Sequence, residues 1–159
     1  MSYTIALNRD AINALDLAPA HSILNPLLAK NTLDSEAVKI RFEIDYPRDP
    51  TDPRELSEIP EIRLWFIRLD AHYPFLSLLL DWEAGELGRY AAMLVPHQFS
   101  PQEGIRYNPE ALEIFVMHKI FAISAWMQQH RIDARSKLKF MTQILGYELD
   151  DGLFDLLSA

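Results

Sequence analysis

Residues 38–46 read VKIRFEIDY. Val38, Ile40, Phe42, Ile44 and Tyr46 alternate with Lys39, Arg41, Glu43 and Asp45. Strict period two puts one set against a core and the other in water or at a site, so the stretch predicts a half-buried strand. Toward the N-terminus, Tyr3, Ile5 and Leu7 alternate with Thr4 and Ala6 in the same way, and Asn8–Leu15 suits a short helical turn. Pro19 predicts the first position of a helix running to about Lys30, with Ile23, Leu24, Leu27 and Leu28. Pro26 falls inside that pattern and predicts a kink or a break.

Toward the C-terminus, Pro60 opens a helical pattern to Tyr73 with Ile62, Trp65, Phe66 and Leu69, a strand over Ile62–Leu69 being the alternative. Pro74 starts a short helical piece through Trp82. Gly85 and Gly88 punctuate, and Arg89–Val95 reads as a strand stopped by Pro96. Asn108, Pro109 and Glu110 make a helix start: a cap, a fixed φ, then an acid at the positive dipole end. The helix that follows, to about His130, is the longest element. Between Ile114 and Met127 only His118, Lys119 and Ser124 are polar, and His118 is expected to be a satisfied core histidine. Asp133 predicts the cap of a helix to Leu145 with Gly146 as its stop, and Asp150–Leu157 a last short helix. Together these elements predict an α+β fold. A small sheet of about three strands packs with about five helices, the long central one near 109–130, in a single domain over 1–159.

Composition narrows the function. The 159 residues carry 23 acidic against 15 basic side chains, a net charge of -8, and no cysteine. An acidic surface opposes phosphate backbones, so nucleic-acid partners are not expected. Without thiols there is no disulfide, thiolate nucleophile, zinc–thiolate site or cysteine-held cluster. MSYTIALNRDAIN at the N-terminus lacks the basic and apolar regions of a signal or transit peptide. No apolar run is long enough for a bilayer, so a cytoplasmic protein without membrane insertion is expected.

The most unusual stretch is PRDPTDPRELSEIPE, residues 47–61. Pro47, Pro50 and Pro53 recur every third residue, as do Asp49, Asp52, Glu55, Glu58 and Glu61. Polyproline II has three residues per turn, so at least Asp49, Asp52 and Glu55 would stripe one edge of a stiff arm, with Arg48 and Arg54 off it. Such a stretch is either a Pro-rigid surface connection or an acidic docking arm for a basic partner. Its length exceeds that of a mere connection. Asp45, Asp49 and Asp52 could also surround a hard cation, although no glycine supplies the turn of a calcium loop.

No two of His21, His72, His97, His118 and His130 lie within five residues, so there is no local zinc pair and no H-E-x-x-H. His97, after a strand end and Pro96, holds the most site-like position. Gly85–Gly88 is not a dinucleotide fingerprint, and no P-loop or G-x-S-x-G is present. Arg131, Arg135 and Lys139 recur every fourth residue or so, while Glu148, Asp150, Asp151 and Asp155 crowd the tail. Complementary faces of a helical hairpin explain both. Pro74–Trp82, PFLSLLLDW, is apolar on all sides and therefore core or interface, with core favoured.

Three runs resemble the chlororespiratory-reduction-six family: Arg41–Trp82, Gly85–Phe99 (GELGRYAAMLVPHQF) and Tyr107–Phe121 (YNPEALEIFVMHKIF). The resemblance implies a cyanobacterial or plastid assembly factor for the photosynthetic NAD(P)H dehydrogenase-like complex. It implies as partner the complex's ferredoxin-like iron–sulfur I subunit, and neither enzymatic activity nor a cofactor. The absence of a transit peptide fits the cyanobacterial cytoplasm, equivalent to the plastid stroma. Arg48, Asp49, Asp52, Arg54, Glu55 and His97 are the expected partner-binding residues. Two other classes stay open: a small metal-dependent enzyme built on Asp45, Asp49, Asp52 and His97, and a homodimer burying Pro74–Trp82.

Overall fold

The computed structural model describes residues 1–30 and 38–157. The α+β class is borne out. The chain forms two compact units: Met1–Tyr73 with Leu79–Leu94, and Pro74–Leu78 with Val95–Ala159.

In the first unit, β1 (Ser2–Asn8) pairs in parallel with β2 (Lys39–Asp45), in register from Ser2↔Lys39 to Asn8↔Asp45. The period-two pattern holds, because Ile5, Leu7, Ile40 and Phe42 are buried. Helix α1 (Arg9–Asn13) is capped by Asn8, whose Oδ1 accepts from the Ala11 amide at 2.8 Å. Helix α2 (Ala18–Ala29) runs through Pro26 without breaking. Pro26 and Ser22 are both exposed, so the carbonyl orphaned by the missing N–H can turn to water.

Helix α3 (Pro60–His72) buries Ile62, Trp65, Phe66 and Leu69, a spacing that selects helix over strand. Residues Glu86–Leu94 form helix α4 rather than the expected strand over Arg89–Val95. Leu87, Tyr90 and Ala91 are its buried anchors at i, i+3 and i+4. Counting from Arg89 hides this period by omitting the first anchor. Phe42, Phe66 and Tyr90 form one aromatic cluster, with ring centroids 4.9 Å (Phe42–Phe66) and 6.0 Å (Phe66–Tyr90) apart. The Tyr90 hydroxyl donates to Asp70 at 2.8 Å, and Trp65 Nε1 donates to the Asp16 carbonyl at 2.7 Å.

A parallel pair of strands leaves an open edge, and here the edge at Phe42 is closed by side chains. The Ile40 carbonyl accepts from the Asp81 amide at 2.9 Å, beside a single bridge between Ile40 and Leu80. Two residues on, the Phe42 amide donates to Glu86 Oε2 at 3.3 Å, and the Phe42 carbonyl accepts from Arg89 at 2.8 Å. The Glu86–Arg89 pair thus stands in for the peptide group of a missing neighbour strand.

The second unit begins with a hairpin that the sequence did not announce. Strands β3 (His97–Ser100) and β4 (Gly104–Tyr107) pair antiparallel, with Gly104 at φ +75° closing the turn. The expected three-stranded sheet is therefore corrected to two separate two-stranded sheets among the described residues, and the helices there number seven. The long helix α5 spans Pro109–His130, with Asn108 Oδ1 accepting from the Ala111 amide at 3.0 Å.

Val116, Ile120, Ile123 and Met127 are buried on α5, together with Lys119 and Ser124. His118 is exposed, correcting its expected place in the core. It is Lys119, one residue on, that lies fully buried, its Nζ donating to the Pro74 carbonyl at 3.2 Å. Helix α6 (Arg135–Ile144) has Ala134, not Asp133, at its cap position. Asp133 Oδ1 still accepts from the Arg135 amide, at 3.4 Å. The basic stripe meets the acidic tail as expected. Arg135 pairs with Asp155 at 2.7 Å and Lys139 with Asp151 at 2.9 Å, both acids in helix α7 (Asp151–Leu157).

Phe75 through Asp81 are buried, with a 3-10 turn at Leu76–Leu79. This burial agrees with the core reading of the segment, while Pro74 and Trp82 at its ends are half-buried. Among the described residues no helix is long and apolar enough to cross a membrane.

Candidate partner-binding surface

The segment that leaves β2 and enters α3 is held by its own side chains. A backbone turn from the Asp49 carbonyl to the Asp52 amide (3.0 Å) interrupts the extended path, so the expected continuous polyproline II arm does not form. The reason is local: Asp49 Oδ1 accepts from both the Thr51 amide (2.8 Å) and the Thr51 hydroxyl (2.6 Å), and such a side-chain turn competes with extended backbone.

Asp52 then receives the Arg54 fork. Arg54 Nε lies 3.1 Å from both carboxylate oxygens, and Nη2 donates to Oδ2 at 2.8 Å. The Arg48 guanidinium closes the loop by donating to the Arg54 carbonyl. Glu55 and Glu58 form a reciprocal capping box over the 3-10 turn Leu56–Glu58, the Glu55 amide donating to Glu58 at 2.9 Å.

Arg48, Asp49, Asp52, Arg54 and Glu55 are thus brought together, as one stapled loop rather than a stripe. All but the half-buried Asp52 are exposed. Hydrogen bonds from Arg54 hold the Asp52 carboxyl at about 2, well below the ordinary 3.8. Those from Thr51 lower Asp49 as well. Both remain anionic over the whole physiological range. The loop offers a fixed array of charge whose ordering entropy is already spent before a partner arrives.

His97 lies in the other unit, at the base of the β3–β4 hairpin. Its Nδ1 lies 2.9 Å from the Val95 carbonyl, which makes that nitrogen the donor. It lines a cavity of about 330 Å³ with Gln98, Arg106, Tyr107 and Asn108. Burial raises the Tyr107 phenol there. The metal-enzyme constellation does not assemble. Among the described residues no three of His, Asp or Glu, including Asp45, Asp49, Asp52 and His97, form a group able to hold a metal ion.

One cluster escaped the sequence altogether. His21 of α2 and His72 of α3 stand with ring centroids 5.1 Å apart, and Tyr73 joins them. The Tyr73 hydroxyl donates to Asn25 Oδ1 at 2.8 Å, so His21 Nδ1, hydrogen-bonded to that same hydroxyl, carries the proton between them. Only the packing of α2 against α3 brings these residues together, across some fifty positions of sequence, and no local spacing signals it.

No solved structure was found to match the chain. The family model of chlororespiratory reduction 6 matches residues 7–156, nearly the full length, and so includes both compact units and the stapled loop. The chain therefore belongs to the chlororespiratory reduction 6 family, with the general role of assembling the NAD(P)H dehydrogenase-like complex.

Proposed function

We propose that this protein is a non-enzymatic assembly factor that holds one client polypeptide, the ferredoxin-like iron–sulfur I subunit of the photosynthetic NAD(P)H dehydrogenase-like complex, in the cyanobacterial cytoplasm. The observation that carries the proposal is the stapled acidic loop at residues 48–58. It is largely exposed, carries four acids against two bases, and is fixed by the bonds Arg48–Arg54, Thr51–Asp49, Arg54–Asp52 and Glu55–Glu58. A surface of that kind suits capture and orientation of a basic client segment more than bond chemistry, because the Asp49 and Asp52 carboxyls, lowered by their hydrogen bonds, are too acidic for general-base work near neutrality.

The absence of cysteine fits the same role. A protein without thiolates has none of the usual ligands for an iron–sulfur cluster, so its service to such a subunit would be to shield or position the chain. The test is affinity capture from native cells with tagged protein, followed by mass spectrometry. Recovery of the I subunit with the wild type, and its loss when Asp49, Asp52 and Glu55 carry amides, is the expected result. Recovery of a different subunit would reassign the client.

A further inference from the structure

Strand β1 has two edges, and only one of them is used. The Lys39 amide donates to the Met1 carbonyl at 3.1 Å, and Ser2 stands opposite Lys39 in the register. In a parallel ladder that phase turns the peptide groups of Tyr3, Ile5 and Leu7 toward β2 and those of Ser2, Thr4 and Ala6 away from it. The outward amides and carbonyls of Ser2, Thr4 and Ala6 meet no hydrogen-bond partner among the described residues, and all three residues are exposed. We infer that this edge of β1 takes up an extended segment of a partner polypeptide as a third strand.

The first support is the contrast between the two outer edges of one sheet. On β2 the outward groups of Ile40 and Phe42 are answered by the Asp81 amide, Glu86 and Arg89. On β1 the corresponding groups are answered by nothing among the described residues. The second support is the sequence of the strand, SYTIALN. It has no charged side chain, no proline and no bulge, since the register runs unbroken from Ser2 to Asn8. Those are the devices that ordinarily keep an exposed edge from pairing. The third support is the spacing of the unpaired groups. Donors and acceptors recurring at every second residue, roughly 6.6 Å apart, match another extended backbone.

Side chains beside the new strand set its pattern. On one face it lies next to Tyr3, Ile5 and Leu7, of which Ile5 and Leu7 are buried. On the other it lies next to the short, exposed Ser2, Thr4 and Ala6. A segment with β-branched apolar residues at every second position fits both faces. Charge selects among chains. Two copies of this protein, each at -8, repel one another, whereas a neutral or basic segment is attracted. The edge is separate from the stapled loop, and its use depends neither on that loop nor on which client the loop holds.

Amide hydrogen exchange of the full chain, followed by NMR, tests the inference with the peptide acetyl-Lys-Val-Thr-Val-Thr-Val-Lys-amide as probe. Without peptide, the Thr4 and Ala6 amides should exchange at least about tenfold faster than those of Ile5 and Leu7. Saturating peptide should slow Thr4 and Ala6 about tenfold or more and leave the Phe42 amide unchanged. Thr4→Pro removes one outward donor and no bond to β2, so it should weaken peptide binding about tenfold or more in a chain that still melts cooperatively. Two further peptides need no change in the protein, one N-methylated at its valines and the other at its threonines. One of them should lose affinity about tenfold or more and the other keep most of it, because a strand spends only alternate amides on one neighbour. Thr4 and Ala6 amides as slow as Ile5 and Leu7 in the free monomer would show an edge already covered by its own chain and overturn the inference. Protection that grows with protein concentration would put a second copy there, which also overturns it. So would no slowing at about 1 mM peptide, or equal affinity for the two methylated peptides.

Discussion

Asp52 shows how one side chain converts a proline-rich connection into a surface with fixed charge. Its carboxyl is held at about 2 by the Arg54 fork, below the usual value of 3.8. A depressed carboxyl contributes stability above its unfolded value and loses it as pH falls through the folded one, so the staple should persist down to about pH 2. Carboxyl-detected NMR titration should give a midpoint near 2 for Asp52 and a higher one after Arg54→Ala. A midpoint near 4 in the wild type would remove the staple.

Tyrosines act at the other end of the pH scale. Burial, reinforced by the neighbouring Asp70 charge, pushes the Tyr90 phenol well above 10, and burial also raises Tyr73 and Tyr107. The folded state then keeps these protons after the unfolded chain has released them, and stability should fall as pH rises past about 10. Tyr90→Phe, which removes the hydrogen bond to Asp70, should cost about 0.5–1.5 kcal/mol in urea unfolding. Single residues were the least legible level of the sequence. His118 and Lys119 are adjacent on one apolar helix. Which of them is buried depends on a carbonyl at Pro74, supplied from 45 positions away.

At the scale of elements, local signals carried further. Proline at a helix start, Asn108 as a cap, and strict alternation over residues 38–46 all describe short-range physics, and these elements formed where those signals stood. The misread strand at Arg89–Val95 is instructive because the helix starts three residues earlier, at Glu86, which serves β2 rather than solvent. The hairpin at residues 97–107 is only two four-residue strands, too short for alternation to stand out.

The side-chain closure of the β2 edge gives a direct test. Glu86→Leu should leave the buried Phe42 amide unpaired, cost about 1–3 kcal/mol and speed hydrogen exchange at that amide. Glu86→Gln, which still offers a carbonyl acceptor, should cost less than about 1 kcal/mol. Equal effects of the two substitutions in urea unfolding would mean that the edge is not closed in this way.

For the molecule as a whole, family membership was legible because long runs such as residues 41–82 are idiosyncratic, and the match extends over residues 7–156. The geometry of the stapled loop was legible only in part. The periodic acids pointed to residues 47–61, but their geometry depends on turns that sequence period alone does not reveal. Asp49 turns back onto Thr51, and Glu55 pairs with Glu58, where an extended arm would have kept all of them in one line. The net charge of -8 is thereby concentrated in part on a rigid loop, and binding through it should weaken as salt rises.

The most direct measurement is titration of the purified iron–sulfur I subunit against wild-type protein and against the Asp49→Asn, Asp52→Asn, Glu55→Gln triple variant, at low and physiological salt, with melting curves for both. The account predicts a complex with the wild type, affinity about tenfold or more lower in the variant at low salt, and a variant that still melts cooperatively, at a temperature lowered only by the loss of the exposed Asp52–Arg54 staple. Undiminished affinity in a folded variant would contradict it.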